Sequence, residues 1–185
     1  MKDEHMLVQR AQKDLREFAI LYDYYAERIY AYAQRELGDV ALAQDVVSAT
    51  FEKALKHLPR YRWRGTSFGA WLYKIARNEM MMHHRYQKWT LPLIDRFFSS
   101  QNVEQQVQQL QQRDELDWAI VRLSQRDQEL LRLRYYEDLS YAEIGEILNK
   151  SPRTTRVALH RALKRLRKQL EKQLRQEVMT DALIQ

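Results

Sequence analysis

The chain predicts an all-α protein: two small helical domains joined by a linker, the second of them a helix-turn-helix. Three observations carry this. Only 4 Gly and 3 Pro occur in 185 residues, too few turn formers for a strand-rich fold but enough for a few long helices. Apolar residues make up 45 % of the chain and aromatic residues 11 %, so a buried core is feasible and wholesale disorder is not expected. Apolar positions recur every three or four residues in both halves, interrupted by one Gln-rich stretch that lacks such a stripe. The length suits one medium domain or two small ones, and the interruption selects two.

From Leu15 to Leu37, the residues Phe18, Leu21, Tyr22, Tyr25, Ile29 and Ala33 form one helical stripe. Gly38 suits the end of that helix because it accepts the left-handed conformation of a C-terminal cap. Asp39 suits the start of the next, where its carboxylate can accept from a free backbone N–H. This second helix, about 40–57, turns Ala43, Val46, Val47, Thr50, Phe51, Ala54 and Leu55 inward, and Pro59 ends it. The loop LPRYRWRGTS follows. Thr66 or Ser67 then opens a third helix to about Tyr86, with Phe68, Trp71, Leu72, Ile75 and Ala76 as its packing stripe. Three such helices can close one domain, placed at 1–89.

Residues 90–112 are rich in Gln and hold Pro92, Ser99 and Ser100. Their few apolar residues, Val103, Val107 and Leu110, cannot make a core, so the stretch reads as an interdomain linker. A second domain, 113–185, follows. Leu116, Trp118, Ala119 and Leu123 pattern its first helix, Ser124 caps the next, and Leu130, Leu131 and Leu133 pattern that one. Ser140 with Glu143 three residues on makes a capping box at the head of a third helix. Asn149 and Lys150 turn the chain. Ser151 caps the last helix, with Pro152 at the first helical position, where its missing N–H costs nothing. The tail from Gln176 to Gln185 is expected to fray.

The chemistry lies in two places. On the last helix Arg153, Arg156, His160, Lys164 and Arg167 fall three or four residues apart and share one face. Leu159, Ala162, Leu163, Leu166 and Leu170 occupy another. An ordinary solvated face mixes signs, but no acid occurs from Lys150 to Leu170. A short helix bracing a cationic one is how a helix-turn-helix offers its recognition helix to the major groove. Arg153, Thr154, Arg156, Val157, His160, Arg161 and Lys164 are therefore the candidate duplex contacts, with Arg153 and Arg156 suited to guanine edges. The second place is the loop Tyr61, Arg62, Trp63, Arg64, Gly65, Thr66. Aromatics alternating with arginine suit single-stranded DNA, because base stacking contributes about 1–3 kcal/mol per base while the cations follow the phosphates. The loop alone leaves open that Tyr61 and Trp63 simply cap a small core. Lys74, Arg77, Asn78, His84 and Arg85 extend the cationic character, mostly along one helical face. A formal net charge of +6 also favours a polyanionic partner.

Other function classes find little support. The absence of Cys excludes disulfides, thiol catalysis and cysteine-ligated zinc. His83 and His84 are adjacent, point to different sides of a helix and cannot chelate together; His57 is isolated from them. No Gly-rich phosphate loop, nucleophile elbow or metal spacing occurs. No catalytic residue, metal or cofactor is therefore expected. The N-terminus MKDEHMLVQR lacks the apolar stretch of a signal peptide, and no run approaches the roughly eighteen apolar residues of a membrane span. A soluble cytoplasmic protein with no membrane insertion is expected.

Four segments in order, LYDYYAERIYAYAQRELGD, AQDVVSATFEKAL, GTSFGAWLYKIARN, and LSQRDQELLRLRYYEDLSYAEIGEIL with LHRALKRLRK, resemble an extracytoplasmic-function (ECF) sigma factor, the minimal two-domain class of bacterial RNA polymerase specificity subunit. The resemblance implies that 1–89 corresponds to sigma domain two and 113–185 to sigma domain four. It implies core-polymerase binding by the second helix through Gln44, Asp45, Ser48 and Glu52 against the clamp helices. It implies recognition and melting of the −10 element by the loop and third helix, with a flipped base held near Trp63 to Thr66. The second domain would read the −35 element as duplex and touch the polymerase flap. An anti-sigma protein is a further partner class that the resemblance suggests. The chain departs from the family pattern at Gln44, usually acidic, and at Ser48-Ala49, usually Gln-Glu. In the last helix Lys150 and Thr155 stand at usually aliphatic positions, and Val157-Ala158 replaces a more polar pair. Two rivals stay open: a stand-alone helix-turn-helix regulator that never joins polymerase, and a helical protein-interaction bundle.

Overall fold

The computed structural model describes the backbone of residues 3–90 and 115–184, and their side chains apart from 84–90, 115, 117 and 174–184. Every described element is helical. In chain order these are α1 (Glu4–Ala11), α2 (Phe18–Leu37), α3 (Val40–His57), α4 (Phe68–Thr90), α5 (Glu115–Val121), α6 (Gln125–Tyr135), α7 (Tyr141–Ile147) and α8 (Pro152–Ile184), with single 3-10 turns at Leu15–Glu17 and Leu58–Arg60. Beyond Thr90 the expected linker lies outside the described residues. No described helix is long and apolar enough to cross a membrane. The contacts group the chain into two compact units, Met1–Lys88 with Leu139–Pro152, and Trp89–Asp138 with Arg153–Gln185.

In the first unit the stripe of α2 buries Phe18, Leu21, Tyr25, Ile29, Tyr32 and Ala33. Gly38 ends the helix at φ 68°, a conformation that costs an L side chain and costs glycine little. Asp39 then caps α3, its Oδ1 accepting from Leu42 N at 3.0 Å. Of the α3 stripe, Ala43, Val46, Thr50, Phe51 and Ala54 are buried. Leu55 is 39 % exposed and Val47 half-buried, so the inward face is narrower than the spacing predicts. Both residues flank the stripe. Tyr22, expected inward, is likewise 44 % exposed, its ring edge-on to Phe51 with centroids 4.6 Å apart. Phe68, Leu72, Tyr73, Ala76 and Met80 carry α4 into the same core. Burying each large apolar side chain contributes about 1.5–3 kcal/mol. Lys53 Nζ and Glu79 Oε2, 2.6 Å apart, tie α3 to α4 at the edge.

α1 has no counterpart in the expectations from sequence. Its Leu7, Val8 and Ala11 are buried, and three apolar residues at the chain end give too short a stripe to register as a helix.

In the second unit Ala119, Leu123, Leu130, Leu131, Leu133, Leu159 and Ala162 are buried. Ser124 caps α6, accepting from Asp127 N at 3.3 Å. Leu116, expected to pattern α5, is 47 % exposed. Trp118 is half-buried and receives Arg122, whose guanidinium carbon lies 3.4 Å from the ring centroid. Asp127, on the buried side of α6, accepts two hydrogen bonds of 2.7 Å from Arg165 of α8. The tail expected to fray is helical through Ile184.

Candidate nucleic-acid interface

Residues 61–67 leave the 3-10 turn and reach α4 without regular structure, turning through Gly65 at φ 84°. A side chain at Gly65 would have open space but a strained backbone. The loop has a packed side and an open one. Tyr61 is on the packed side, its ring 5.3 Å from Phe68 and 4.7 Å from Trp71. Burial there, with the charges of Glu146 and Glu4 beside it, pushes the Tyr61 phenol up to about 12. Arg62, Arg64 and Gly65 are exposed and Trp63 is half-exposed, so the cations and one indole remain available. Within the same unit the Thr66 hydroxyl donates to Glu146 and the Ser67 hydroxyl to Glu143. Ser67 also caps α4, accepting from Ala70 N at 3.2 Å. Lys74 and Arg77 are half-exposed and Asn78 exposed, three or four residues apart along one face of α4. Arg77 Nη1 rests 3.1 Å from Met81 Sδ. The side chains of His84, Arg85 and Lys88 lie outside the described residues.

Spacing alone does not show how α1 and its C-cap Gln12 meet this loop. Gln12 Nε2 donates to the carbonyls of Leu58 and Tyr61 at 2.9 and 2.8 Å. Glu4, only 7 % exposed, accepts from the Tyr25 hydroxyl and from Phe68 N, the latter at 3.2 Å. A carboxylate on the first free N–H of α4 is favoured by the partial positive charge at a helix N-terminus. His5 lies beside Trp63 with ring centroids 5.0 Å apart. A helical stripe in MLVQRA was the available signal, but nothing in a single sequence pairs Gln12 with a carbonyl 46 residues on.

The two helices of the expected helix-turn-helix, and the turn between them, fall where the sequence places them. Ser140 Oγ accepts from Glu143 N at 3.3 Å while Glu143 Oε2 accepts from Ser140 N at 2.8 Å, closing the capping box. Burial alone would raise the Glu143 carboxyl, but hydrogen bonds from Ser67 and Ser140 outweigh it and hold it below the usual range. α7 ends at Ile147 with Leu148 as its C-cap, and Asn149 takes φ 53°, which Asn tolerates better than most side chains. Lys150 N returns to Gly145 O at 2.7 Å. α8 then starts at Pro152. Arg153, Thr154, Arg156, Val157, His160, Arg161 and Lys164 are all exposed, whereas Thr155, Leu159 and Ala162 are buried. Thr155 thus serves packing despite being polar. Arg165, one residue beyond Lys164, is turned to Asp127, so the basic face is separate from the cation that braces the fold.

On the second helix Gln44, Asp45, Ser48 and Glu52 are exposed in one row, and Ser48 Oγ donates back to Gln44 O at 3.1 Å. Gln44, Val47 and Ser48 line an open groove with Tyr22, Ala26, Glu27 and Tyr30 of α2. Among the described residues no cluster of His, Asp or Glu is arranged to hold a metal.

Comparison with known proteins gives a consistent picture. Residues 21–90 match the family description sigma-70 region 2, and residues 113–166 match sigma-70 region 4. The chain is 36 % identical over 145 residues to the ECF RNA polymerase sigma factor SigF of Caulobacter vibrioides, covering 74 % of this chain and 76 % of that protein. It is 31 % identical over 164 residues to the ECF RNA polymerase sigma factor BldN of Streptomyces coelicolor, covering 85 % of this chain and 62 % of that protein. The chain therefore spans less than two thirds of BldN. Among solved structures, CnrH in complex with the cytosolic domain of CnrY matches 91 % of this chain and 97 % of its own, with a TM-score of 0.64 and 21 % identity. That last likeness is one of fold.

Proposed function

The chain belongs to the extracytoplasmic-function RNA polymerase sigma factors, and from that premise we propose how its surfaces divide the work of promoter recognition. The region 1–89 acts as sigma domain two. Its α3 row Gln44, Asp45, Ser48 and Glu52, beside the Tyr22 and Tyr30 groove, takes the clamp helices of core polymerase. The loop from Tyr61 to Thr66, with Lys74, Arg77, Asn78 and Arg85 on α4, takes the −10 element as it opens. Within it Trp63 stacks an unpaired base, Arg62 and Arg64 follow the phosphates, and Tyr61 anchors the loop to the core. The region 113–185 acts as sigma domain four. Its α8 enters the major groove of the −35 element through Arg153, Thr154, Arg156, Val157, His160, Arg161 and Lys164, and the same domain meets the polymerase flap. The protein works in the cytoplasm and has no catalytic residue of its own. Affinity for unstacked bases favours the opened duplex by mass action. Family membership also suggests an anti-sigma protein as a regulator.

One observation supports this reading above the others: a single chain carries both a loop with exposed arginines around a half-exposed tryptophan and a helix with an exposed, acid-free basic face. The first suits single strands and the second suits duplex. Run-off transcription on genomic fragments with purified core polymerase tests it. Promoter-specific transcripts that depend on the protein are expected. A protein that binds duplex but yields none would be a stand-alone regulator instead.

A further inference from the structure

The eight-residue helix α1 and its C-cap residue Gln12 together hold the loop 61–67 at its entry, its middle and its exit. At the entry, the single amide of Gln12 satisfies the carbonyls of Leu58 and Tyr61, which bracket the 3-10 turn feeding the loop. In the middle, the His5 ring sits against Trp63 at 5.0 Å with the planes inclined by 51°. At the exit, Glu4 takes the first backbone N–H of α4 and the Tyr25 hydroxyl. The residues that seat α1 are others, Leu7, Val8 and Ala11, all buried. His5 is exposed and Gln12 only half-buried, so neither is needed to seal a core.

We propose that α1 with its C-cap Gln12 is the positioning element of the melting loop: Gln12 sets its backbone path, and His5 holds the Trp63 indole in the attitude that receives an unpaired base. This deepens the sigma-factor reading and rests on it. The physical reason is preorganisation. A large ring held in place before the base arrives loses little rotational freedom on stacking, whereas a free one must be ordered at every promoter, at a cost of about two- to tenfold in affinity. Gln12 and His5 are positioning residues, since they act through Trp63 and the loop rather than on DNA.

The test uses the full chain with core polymerase and three variants: Gln12→Glu, His5→Ala and His5→Phe. Gln12→Glu keeps the shape but removes the N–H donors and turns a carboxylate toward two carbonyl oxygens. His5→Phe keeps a ring beside Trp63. Promoter melting is read by permanganate reactivity of non-template thymines, loop order by hydrogen exchange of amides 60–67, and integrity by core binding and thermal midpoint. Gln12→Glu and His5→Ala are expected to melt promoters about three- to tenfold less well, the size of a partly lost stack. His5→Phe should stay within about twofold of the native chain. Core binding should be unchanged in all three, and the loop amides should exchange faster in Gln12→Glu. If Gln12→Glu lowers the thermal midpoint, the two His5 variants decide alone. Native-like melting by Gln12→Glu and His5→Ala, or a loss in His5→Phe equal to that in His5→Ala, overturns the proposal while leaving the sigma reading intact. A native chain that gives no promoter-directed transcript overturns both.

Discussion

At the scale of single residues, two positions show how little room the first domain leaves and how much the second exposes. Gly69 stands where a Cβ would lie 2.6 Å from Tyr25 Cε1 and 2.8 Å from its hydroxyl oxygen. Its φ is ordinary, so the need for glycine here is close approach and not backbone freedom. The Tyr25 ring cannot retreat cheaply, because its hydroxyl is engaged with Glu4; burial first, then that hydrogen bond and charge, raises its phenol far above the ordinary range. Gly69→Ala is therefore expected to destabilise the protein by about 1–3 kcal/mol, as overpacking of a tight core does. A lowered urea midpoint would register it, and an unchanged one would mean the ring gives way. Arg156 is the opposite case, exposed on α8. Arg156→Ala should weaken binding to promoter duplex by about 1–3 kcal/mol and relax preference at one base pair, if the guanidinium grips guanine in both acceptor positions. Equal affinity and preference in a competition assay would remove Arg156 from the readers.

At the scale of elements, α6 and α8 are tied by one ion pair. The Arg165 guanidinium, donating to both oxygens of Asp127, holds that carboxyl below the usual carboxylate range, and the arginine is shifted up in the matching sense. Asp127 is nearly buried while the Arg165 side chain is 53 % exposed, so solvent screens part of the interaction. About 1 kcal/mol is a reasonable scale for it. A carboxyl whose folded pKa is depressed adds stability above its unfolded value, near pH 4, and loses it as pH falls through the lower folded value. Asp127→Asn should thus be less stable than the native chain at pH 7, and the gap should close below about pH 4. Urea unfolding at pH 7 and pH 3 checks this; a gap that persists at pH 3 would assign the loss to packing. The capping box on α7 makes a case of similar size. Ser140→Ala leaves an N–H of the first turn without its side-chain acceptor and should cost about 1 kcal/mol by the same measurement.

At the scale of the whole molecule, a net charge of +6 is useful because part of it is gathered on exposed faces rather than spread evenly. Each phosphate neutralised releases condensed counterions, so duplex affinity should fall linearly in log–log terms with salt. Lys164→Gln should reduce that slope by about 1, as loss of one phosphate contact would, while Arg165→Gln should leave it unchanged because Arg165 serves Asp127. Fluorescence anisotropy across a salt series separates the two, and equal slopes would refute the distinction.

Most of the fold was legible in the chain, and particular residues show why. Gly38 with Asp39, Ser124, Ser140 with Glu143, and Asn149 before Pro152 mark helix ends through local chemistry, in which a residue meets partners a few positions away. The stripes of α2, α3 and α4 follow from periodicity, and so does the exposed basic face of α8, because a helix places residues by spacing alone. Sequence likewise sufficed for the aromatic and cationic character of the loop and for the family resemblance. What it left undecided was which loop aromatic packs and which stays available, and here tertiary structure decided: Tyr61 goes to Phe68 and Trp71, Trp63 to His5. Tertiary structure also narrowed the α3 stripe at Leu55, turned Arg165 away from its cationic neighbours, and brought α1 and its C-cap to the loop through Glu4, His5 and Gln12. The physical reason is common to all of these. Caps and periodic faces depend on neighbours within one or two turns, whereas the loop's anchors come from 46 and more residues away, and no spacing rule within one sequence encodes that meeting.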